Sequence, residues 1–192
     1  MTMKAGMVHV KKLALVSIFS ALGIAISPFA WFEFLGTKAN PTQHMINAIL
    51  GVLTGPFWAA LAAVFIGTIR NMLGTGTIYA FPGGIPGAIV VGVVYWILRR
   101  FKLSGKKRLA SALTEPIGTV LIGAPLALFL LAPWLGLQNL LDLATKEGFL
   151  FAFLIFGSGW ALSSVPGSIM GFMILLVLDR VGINRETLFG EK

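Results

Sequence analysis

Long apolar runs recur along this chain, and they constrain its fold more than any other feature. Six segments can be marked, at about 13–30, 43–54, 56–71, 83–98, 109–131 and 160–178. Several approach the roughly 20 residues that a helix needs to cross the hydrocarbon core of a bilayer. The runs are too long for strands and lack alternation of apolar and polar residues. The sequence therefore predicts an all-α integral membrane protein built as a six-helix transmembrane bundle.

The composition favours the same class. Hydrophobic residues make up 57% of the 192 residues and charged residues only 11%, with a mean hydropathy of +0.89, whereas a soluble domain carries about 25% charged residues. At this length we expect a single transmembrane domain over residues 1–192. The chain has no cysteine, so disulfides and thiolate metal sites are excluded.

Lysine and arginine residues are distributed unevenly between the predicted connections. If the N-terminus is cytoplasmic, three of them (Lys38, Arg70 and Lys146) lie outside and twelve inside. The twelve are Lys4, Lys11, Lys12, Arg99, Arg100, Lys102, Lys106, Lys107, Arg108, Arg180, Arg185 and Lys192. This asymmetry follows the positive-inside rule, so we expect both termini in the cytoplasm. The net charge of +8 is then explained by the cationic residues on the cytoplasmic side, and nucleic acid is not an expected partner.

The first apolar segment follows a basic start, as in a secretory signal peptide. Its apolar run is long and no A-x-A-like cleavage site precedes a soluble domain, so we interpret it as a retained helix. Ser17, Ala21 and Ala25 lie four residues apart on it. Small residues at this spacing let another helix approach closely in lipid. Two interpretations stay open, namely packing within the bundle and contact with a separate membrane subunit.

Polar side chains collect at the predicted outer end of the bundle. They open the second and sixth segments, close the third, and occupy the loop that follows it. Buried polar groups in apolar surroundings must be paired, so these groups either satisfy one another or bind a solute. The candidate solute-binding residues are Gln43, His44, Asn47, Arg70, Asn71, Thr75, Thr77, Tyr79, Phe81, Trp160 and Ser164.

Arg70 is the most informative of these residues. An ionisable group in a spanning segment is costly and usually functional, and the arginine fork suits bidentate binding of carboxylate or phosphate. The alternative is an interfacial arginine that snorkels or caps the end of its own helix. The Gly-Thr-Gly-Thr loop after it has two interpretations as well: its glycines permit tight turns, or its amides contact an anion.

The remaining titratable residues do not indicate an enzyme. His44 has no second histidine, cysteine or acidic cluster at ligand spacing, so no metal or other cofactor is expected; a paired polar contact and a hydrogen bond to a ligand both stay open for it. Glu115 precedes Pro116, which suggests a charge at the N-terminus of the fifth helix that complements the macrodipole. No P-loop motif occurs, so any ATPase must be a separate subunit.

One stretch is typical of a known family. Residues 40–92, NPTQHMINAILGVLTGPFWAALAAVFIGTIRNMLGTGTIYAFPGGIPGAIVVG, closely resemble the ThiW family of bacterial and archaeal membrane proteins. Its members are identified as substrate-binding S components of energy-coupling factor (ECF) vitamin transporters, assigned to the thiazole precursor of thiamine. The similarity runs from about Lys11 to Asp179, and the R-N-x-x-G-T-G-T-x-x-A-F-P-G block is its most specific part.

The resemblance implies a passive binder in a prokaryotic cytoplasmic membrane. Such proteins have six helices with both termini inside and an outward pocket closed by external loops, and they deliver solute by toppling against a T subunit with two ATPase subunits. Ser17, Ala21 and Ala25 are similar to the A-x-x-x-A element that contacts the T subunit. A neutral hydroxyethylthiazole needs only stacking and a few hydrogen bonds, whereas Arg70 suits a carboxylated or phosphorylated thiazole. A self-sufficient secondary transporter or channel and a membrane enzyme of thiazole salvage are the competing hypotheses.

Overall fold

The structure, a computed structural model, describes residues 2–34 and 37–190. Lys192, one of the cationic residues of the predicted topology, lies outside the described residues. In chain order the elements are α1 (Thr2–Ile26), β1 (Phe32–Phe34), β2 (Thr37–Ala39), α2 (Pro41–Thr54), α3 (Pro56–Met72), α4 (Ala80–Arg100), α5 (Gly105–Leu135), α6 (Gln138–Glu147), α7 (Phe149–Arg180) and α8 (Arg185–Phe189). Among the described residues, the antiparallel β1–β2 pair contains the only strands.

Four helices are long and apolar enough to cross a membrane, namely α1 over Gly6–Ile26, α4, α5 and α7. The protein is therefore a helical, multi-pass membrane protein. Helices α2 and α3 have 14 and 17 residues, below the roughly 20 needed for a full span. They form a tight hairpin through Gly55, whose φ of +93° favours glycine, and Pro56 occupies the first helical position of α3.

The start of α7 differs most from the sequence prediction. The segment predicted at 160–178 belongs to a helix that begins at Phe149 and ends at Arg180. Gly157 and Gly159 lie buried inside this helix, where small residues allow close packing. Similarly, α1 ends at Ile26 rather than near residue 30.

The centre of the bundle is α2, in which every residue except Pro41 and Met45 is buried. Its closest neighbour is α7, which approaches through glycines: a Cβ on Gly167 would lie 2.4 Å from Pro41 O, and one on Gly171 2.7 Å from Ala48 Cβ. Helix α4 approaches α2 at Gly51, where an added Cβ would lie 2.6 Å from Val91 Cγ1. Polar groups on α2 are therefore held close to two other helices.

The N-terminal helix and the C-terminal segment meet at one end of the bundle. Lys11 Nζ donates to Leu188 O at 3.0 Å, and Lys12 Nζ lies 5.1 Å from the Phe189 ring. Arg185 Nη1 donates to Val52 O at 3.4 Å. A cavity of about 160 Å³ lies here, which we call the tail cavity; its lining includes Val52, Leu53, Tyr95, Arg108, Leu175, Asp179, Arg185 and Glu186. The β1–β2 hairpin and the loop at 73–79 lie at the opposite end.

Candidate solute-binding site

A polar cavity lies at the hairpin end of the bundle, between the first turns of α2 and α4, the last turn of α3 and the middle of α7. We call it the hairpin cavity. Its volume is about 40 Å³, which is room for a few water molecules. It is lined by Lys38, Ala39, Asn40, Gln43, His44, Arg70, Thr77, Tyr79, Ala80, Gly83, Gly84, Trp160 and Ser163.

Six of the predicted site residues meet in this lining. They come from four separate parts of the chain, as Gln43, His44, Arg70, Thr77, Tyr79 and Trp160. They converge because α2, α3, α4 and α7 all have one end or one polar turn at this level of the bundle. Hydrogen-bonding side chains and two aromatic rings thus line one small space.

The other five predicted residues do not line the cavity. Asn71 Nδ2 donates to Gly67 O at 2.7 Å and to Thr77 O at 3.0 Å, so it shapes the loop. Phe81 is half-buried against α3, where its ring lies 3.2 Å from the position of a Cβ on Gly67. Ser164 is fully buried, and its Oγ has no partner among the described residues. Asn47 and Thr75 hold neighbouring groups, as described below.

Arg70 is 2% exposed, which does not fit the alternative in which it snorkels to the membrane interface. Its Nη1 donates to Gln43 Oε1, and its Nη2 donates to Thr75 O at 3.1 Å. The Nε atom is buried and has no acceptor among the described residues. The guanidinium therefore links α2 to the loop after α3 while retaining an unused donor.

The Gly-Thr-Gly-Thr loop caps α3 with its own backbone. The amides of Thr75 and Gly76 both donate to Arg70 O at 2.9 Å, and Thr75 Oγ1 donates to the same oxygen at 3.3 Å. Gly74 has a φ of +70°, which an L side chain rarely adopts. The turn interpretation of the glycines is thus right. The anion interpretation is wrong for the two amides that bind Arg70 O.

Beneath the cavity, Glu115 organises a buried hydrogen-bond network. Its carboxylate Oε1 accepts from His44 Nδ1 at 2.8 Å and from Asn47 Nδ2 at 3.1 Å, and it lies 2.8 Å from Thr119 Oγ1. Asn47 Nδ2 also donates to Gly84 O at 3.0 Å. Three polar neighbours stabilise the buried Oε1 in an apolar interior, whereas Glu115 Oε2 and Asn47 Oδ1 are buried without a partner among the described residues.

This position corrects the prediction for Glu115. It was expected at the N-terminus of the fifth helix, but α5 begins at Gly105 and continues through Pro116. Proline is tolerated there because spanning helices adjust locally with 3₁₀ and π turns; α5 is 3₁₀-helical at Ala110–Thr114 and π-helical at Ile117–Gly123. The carboxylate is therefore fully buried in the bundle rather than at a helix end.

His44 connects this network to the cavity. Its Nδ1 contacts Glu115, and its Nε2 lies 3.2 Å from Ser163 Oγ, which is also 3.0 Å from Trp160 O. Both His44 and Ser163 line the cavity. The histidine thus has a protein partner on each nitrogen and remains within reach of a solute.

Glycines on α4 make this arrangement possible. A Cβ on Gly84 would lie 2.3 Å from Gln43 Nε2, and a Cβ on Gly87 would lie 2.3 Å from Glu115 Oε1. Any larger residue at either position would overlap a polar group of the site. The Gly-Gly-Ile-Pro-Gly run at 83–87 is therefore required for close approach of the polar groups.

Aromatic residues form the wall of the cavity on the α7 side. The Tyr79 ring lies 5.6 Å from that of Phe156, which lies 4.9 Å from Trp160. Partial burial raises the pKa of Tyr79, so its hydroxyl stays neutral near pH 7 and can donate a hydrogen bond. The first pair is T-shaped and the second is tilted, and such a set of rings offers aromatic surface to a flat heterocycle.

Three polar side chains of the lining, Lys38, Asn40 and Ser163, were not among the candidate solute-binding residues. Asn40 Oδ1 accepts from Gln43 N at 3.1 Å and caps α2; the Asn-Pro pair before an apolar run is a recognisable cap signal. Ser163 lies one position from the predicted Ser164. Lys38 lies in the short hairpin, for which the sequence carries no signal. The described residues contain no group of three or more His, Cys, Asp or Glu that could hold a metal ion.

Comparison with known proteins gave a match to one family. The family model described as Thiamine-precursor transporter protein (ThiW) matches residues 13–181. This range includes every residue that lines the hairpin cavity. No curated protein and no solved structure matches the chain.

Proposed function

The chain belongs to the ThiW family of thiamine-precursor transporter proteins, and we propose that it is the substrate-binding S component of an ECF importer in a prokaryotic cytoplasmic membrane. In this role it captures the thiazole precursor of thiamine, hydroxyethylthiazole or a related thiazole, from outside. It then delivers the solute through a T subunit that two ATPase subunits energise. The observation that carries the proposal is the hairpin cavity, where aromatic and hydrogen-bonding side chains converge.

The chemistry of the lining suits a small heterocycle. Trp160 and Tyr79 offer aromatic surface, and His44, Gln43 and Thr77 offer hydrogen-bonding groups. Ligand sites commonly combine apolar walls with a few polar groups that fix orientation. The volume of about 40 Å³ is well below the roughly 300 Å³ at the lower end of ligand pockets. Binding therefore requires the β1–β2 hairpin or the loop at 73–79 to move outward.

The charge distribution supports an orientation with the hairpin cavity outside. The cationic residues Lys11, Lys12 and Arg185 contact the opposite end of the bundle. The positive-inside rule assigns that end to the cytoplasm. In this orientation both termini are cytoplasmic, and solute enters from outside.

The small residues on α1 support the proposal that the chain contacts a second membrane subunit. Ser17, Ala21 and Ala25 are exposed, while Val16, Ser20 and Gly23 face the bundle. Packing within the bundle therefore does not account for the stripe. An exposed stripe of small residues allows close approach of a second helix in lipid, which is what docking on a T subunit requires.

Calorimetry on the full chain in lipid nanodiscs tests the binding role. We expect hydroxyethylthiazole to bind with 1:1 stoichiometry, and we expect no binding of the pyrimidine precursor of thiamine. Trp160→Ala removes an aromatic wall and should weaken thiazole binding, whereas Trp134→Ala, at a side chain that is 80% exposed, serves as the matched control. Absence of thiazole binding by the wild-type chain would refute the proposal.

Transport assays separate the S-component role from the alternative of a self-sufficient secondary transporter or channel. The purified chain alone in liposomes should bind thiazole without accumulating it. Uptake should appear only when the T subunit and both ATPases are co-reconstituted and ATP is supplied. Uptake by the chain alone would favour the alternative.

A further inference from the structure

We propose that the hairpin cavity recognises a thiazole that carries an anionic group, a carboxylate or a phosphate ester, and that Arg70 binds the anion with Lys38 as a second cation. This inference rests on the proposed function and specifies the charge of the substrate. The supporting observation is that Arg70, a buried cation in the lining of the cavity, has no counter-ion among the described residues.

The positive charge of Arg70 has no counter-ion within the described part of the chain. The side chain is 2% exposed, and its two hydrogen-bond acceptors, Gln43 Oε1 and Thr75 O, are neutral. Burial of a cation without an anion carries a large desolvation cost. A ligand that supplies the missing negative charge recovers part of this cost on binding.

The guanidinium also has unused donor capacity. Arginine has five N–H groups, of which Nη1 and Nη2 each use one in the contacts with Gln43 and Thr75. The Nε–H is buried and lacks an acceptor among the described residues. An oxyanion accepts two parallel hydrogen bonds from an arginine, which is a strong and geometrically selective arrangement.

The charges of the whole lining have the same sign. Lys38 and Arg70 both line the cavity, and the lining residues of the described chain include no carboxylate. Lys38 Nζ donates to Gly74 O and lies 5.1 Å from the Trp31 ring, so it is held over the loop that follows Arg70. Two cations at one small cavity favour a negative solute by electrostatic attraction.

Glu115 does not cancel this charge. It lies behind His44 rather than in the lining, and its Oε1 accepts from His44 Nδ1 and Asn47 Nδ2. The loop amides at Thr75 and Gly76 are occupied by Arg70 O. Among the described residues, no lining carboxylate neutralises the two cations, and the Thr75 and Gly76 amides are not free to bind an anion. The side chains of Arg70 and Lys38 are therefore the groups that bind it.

The test compares ligands that share a ring and differ in charge, using the full chain in nanodiscs. The probes are hydroxyethylthiazole, its phosphate ester and 4-methylthiazole-5-carboxylate, which separate the phosphate and carboxylate sources of the anion. We expect at least one anionic form to bind about 10-fold or more tightly than the neutral form. This advantage should shrink as salt is raised, because added ions screen the attraction.

Variants are compared by the ratio of affinities for the anionic and neutral ligands, so that a general loss of folded protein cancels. Arg70→Gln should bring the ratio close to one, Arg70→Lys should keep part of it, and Lys38→Gln should lower it about threefold. Lys146→Gln, a matched lysine in α6 that does not line the cavity, should leave the ratio unchanged.

The outcomes separate the two proposals. If the neutral thiazole binds as tightly as both anionic forms, or if Arg70→Gln preserves an anionic preference, the inference is overturned and the binding function stands. If no thiazole of any charge binds to the wild-type chain, the proposed function itself fails.

Discussion

His44 Nδ1 donates a hydrogen bond to Glu115 Oε1 at 2.8 Å, between two residues that are 71 positions apart in sequence. The contact joins α2 to α5 in the interior of the bundle, directly behind the hairpin cavity. Because the carboxylate accepts from Nδ1, the orientation of the imidazole is fixed, and its Nε2 is directed toward Ser163 and the cavity. The floor of the candidate site therefore depends on a residue that lies outside the cavity lining.

Removal of this carboxylate should destabilise the fold. Glu115→Ala leaves buried donors on His44 and Asn47 without an acceptor, and breaking a buried pair in this way costs about 3–5 kcal/mol. Glu115→Gln keeps an acceptor oxygen and should cost clearly less. Thermal unfolding in detergent, followed by tryptophan fluorescence, measures both; equal losses in the two variants would contradict the role assigned to the acceptor.

Gly87 should tolerate no side chain. A Cβ there would lie 2.3 Å from Glu115 Oε1 and 2.6 Å from Thr119 Oγ1, so Gly87→Ala should displace the network and weaken thiazole binding about 10-fold or more, as expected for overpacking. Gly157→Ala is the matched control within a helix, because its nearest neighbour would be at an ordinary 3.5 Å. Calorimetry on both variants checks this, and normal binding by Gly87→Ala would argue against the network.

Loss of the α2 cap should affect the site as well as stability. Asn40→Ala removes the acceptor of Gln43 N and the donor to Ser27 O, at a cost of about 1 kcal/mol. Since Gln43 lines the cavity, binding should weaken too. Asn184→Ala removes the cap of α8 at the opposite end and should lower stability without changing thiazole affinity. A similar affinity loss in both variants would show that the effect is not local.

Ser163 should contribute to recognition through His44. Ser163→Ala removes the partner of His44 Nε2 at 3.2 Å, a neutral hydrogen bond worth about 1 kcal/mol, so thiazole affinity should fall about fivefold. Ser158→Ala, at an exposed hydroxyl that donates to Ile155 O of its own helix, is the control. Unchanged binding by Ser163→Ala would remove this residue from the site.

A bulky residue in the α1 stripe should block assembly without blocking solute capture. Ala21 is exposed, so Ala21→Trp fills the surface that a second helix would approach. We expect loss of co-purification with the T subunit and normal thiazole binding. Leu121→Trp, at a side chain that is 61% exposed on α5, should assemble normally, and assembly of Ala21→Trp would place the T-subunit contact elsewhere.

The sequence predicted the helical membrane class and six of the residues that line the candidate site, because both depend on local chemistry. Polar groups such as Arg70 and Gln43 stand out against apolar runs, and run length marks membrane spans. Glu115 was misplaced because a Glu-Pro pair usually marks a helix start, whereas here 3₁₀ and π turns carry α5 through the proline. The contact of Glu115 with His44 and the approach of Lys38 depend on packing over long sequence distances, for which one sequence gives no signal.

The two cavities at opposite ends of the bundle have no lining residue in common. Between them, α2 and α4 present Ala48, Ile49 and Val91, each at most 1% exposed. Among the described residues, these buried apolar side chains separate the hairpin cavity from the tail cavity. In the proposed S-component role, release of a bound solute on the cytoplasmic side therefore requires the whole chain to reorient in the membrane.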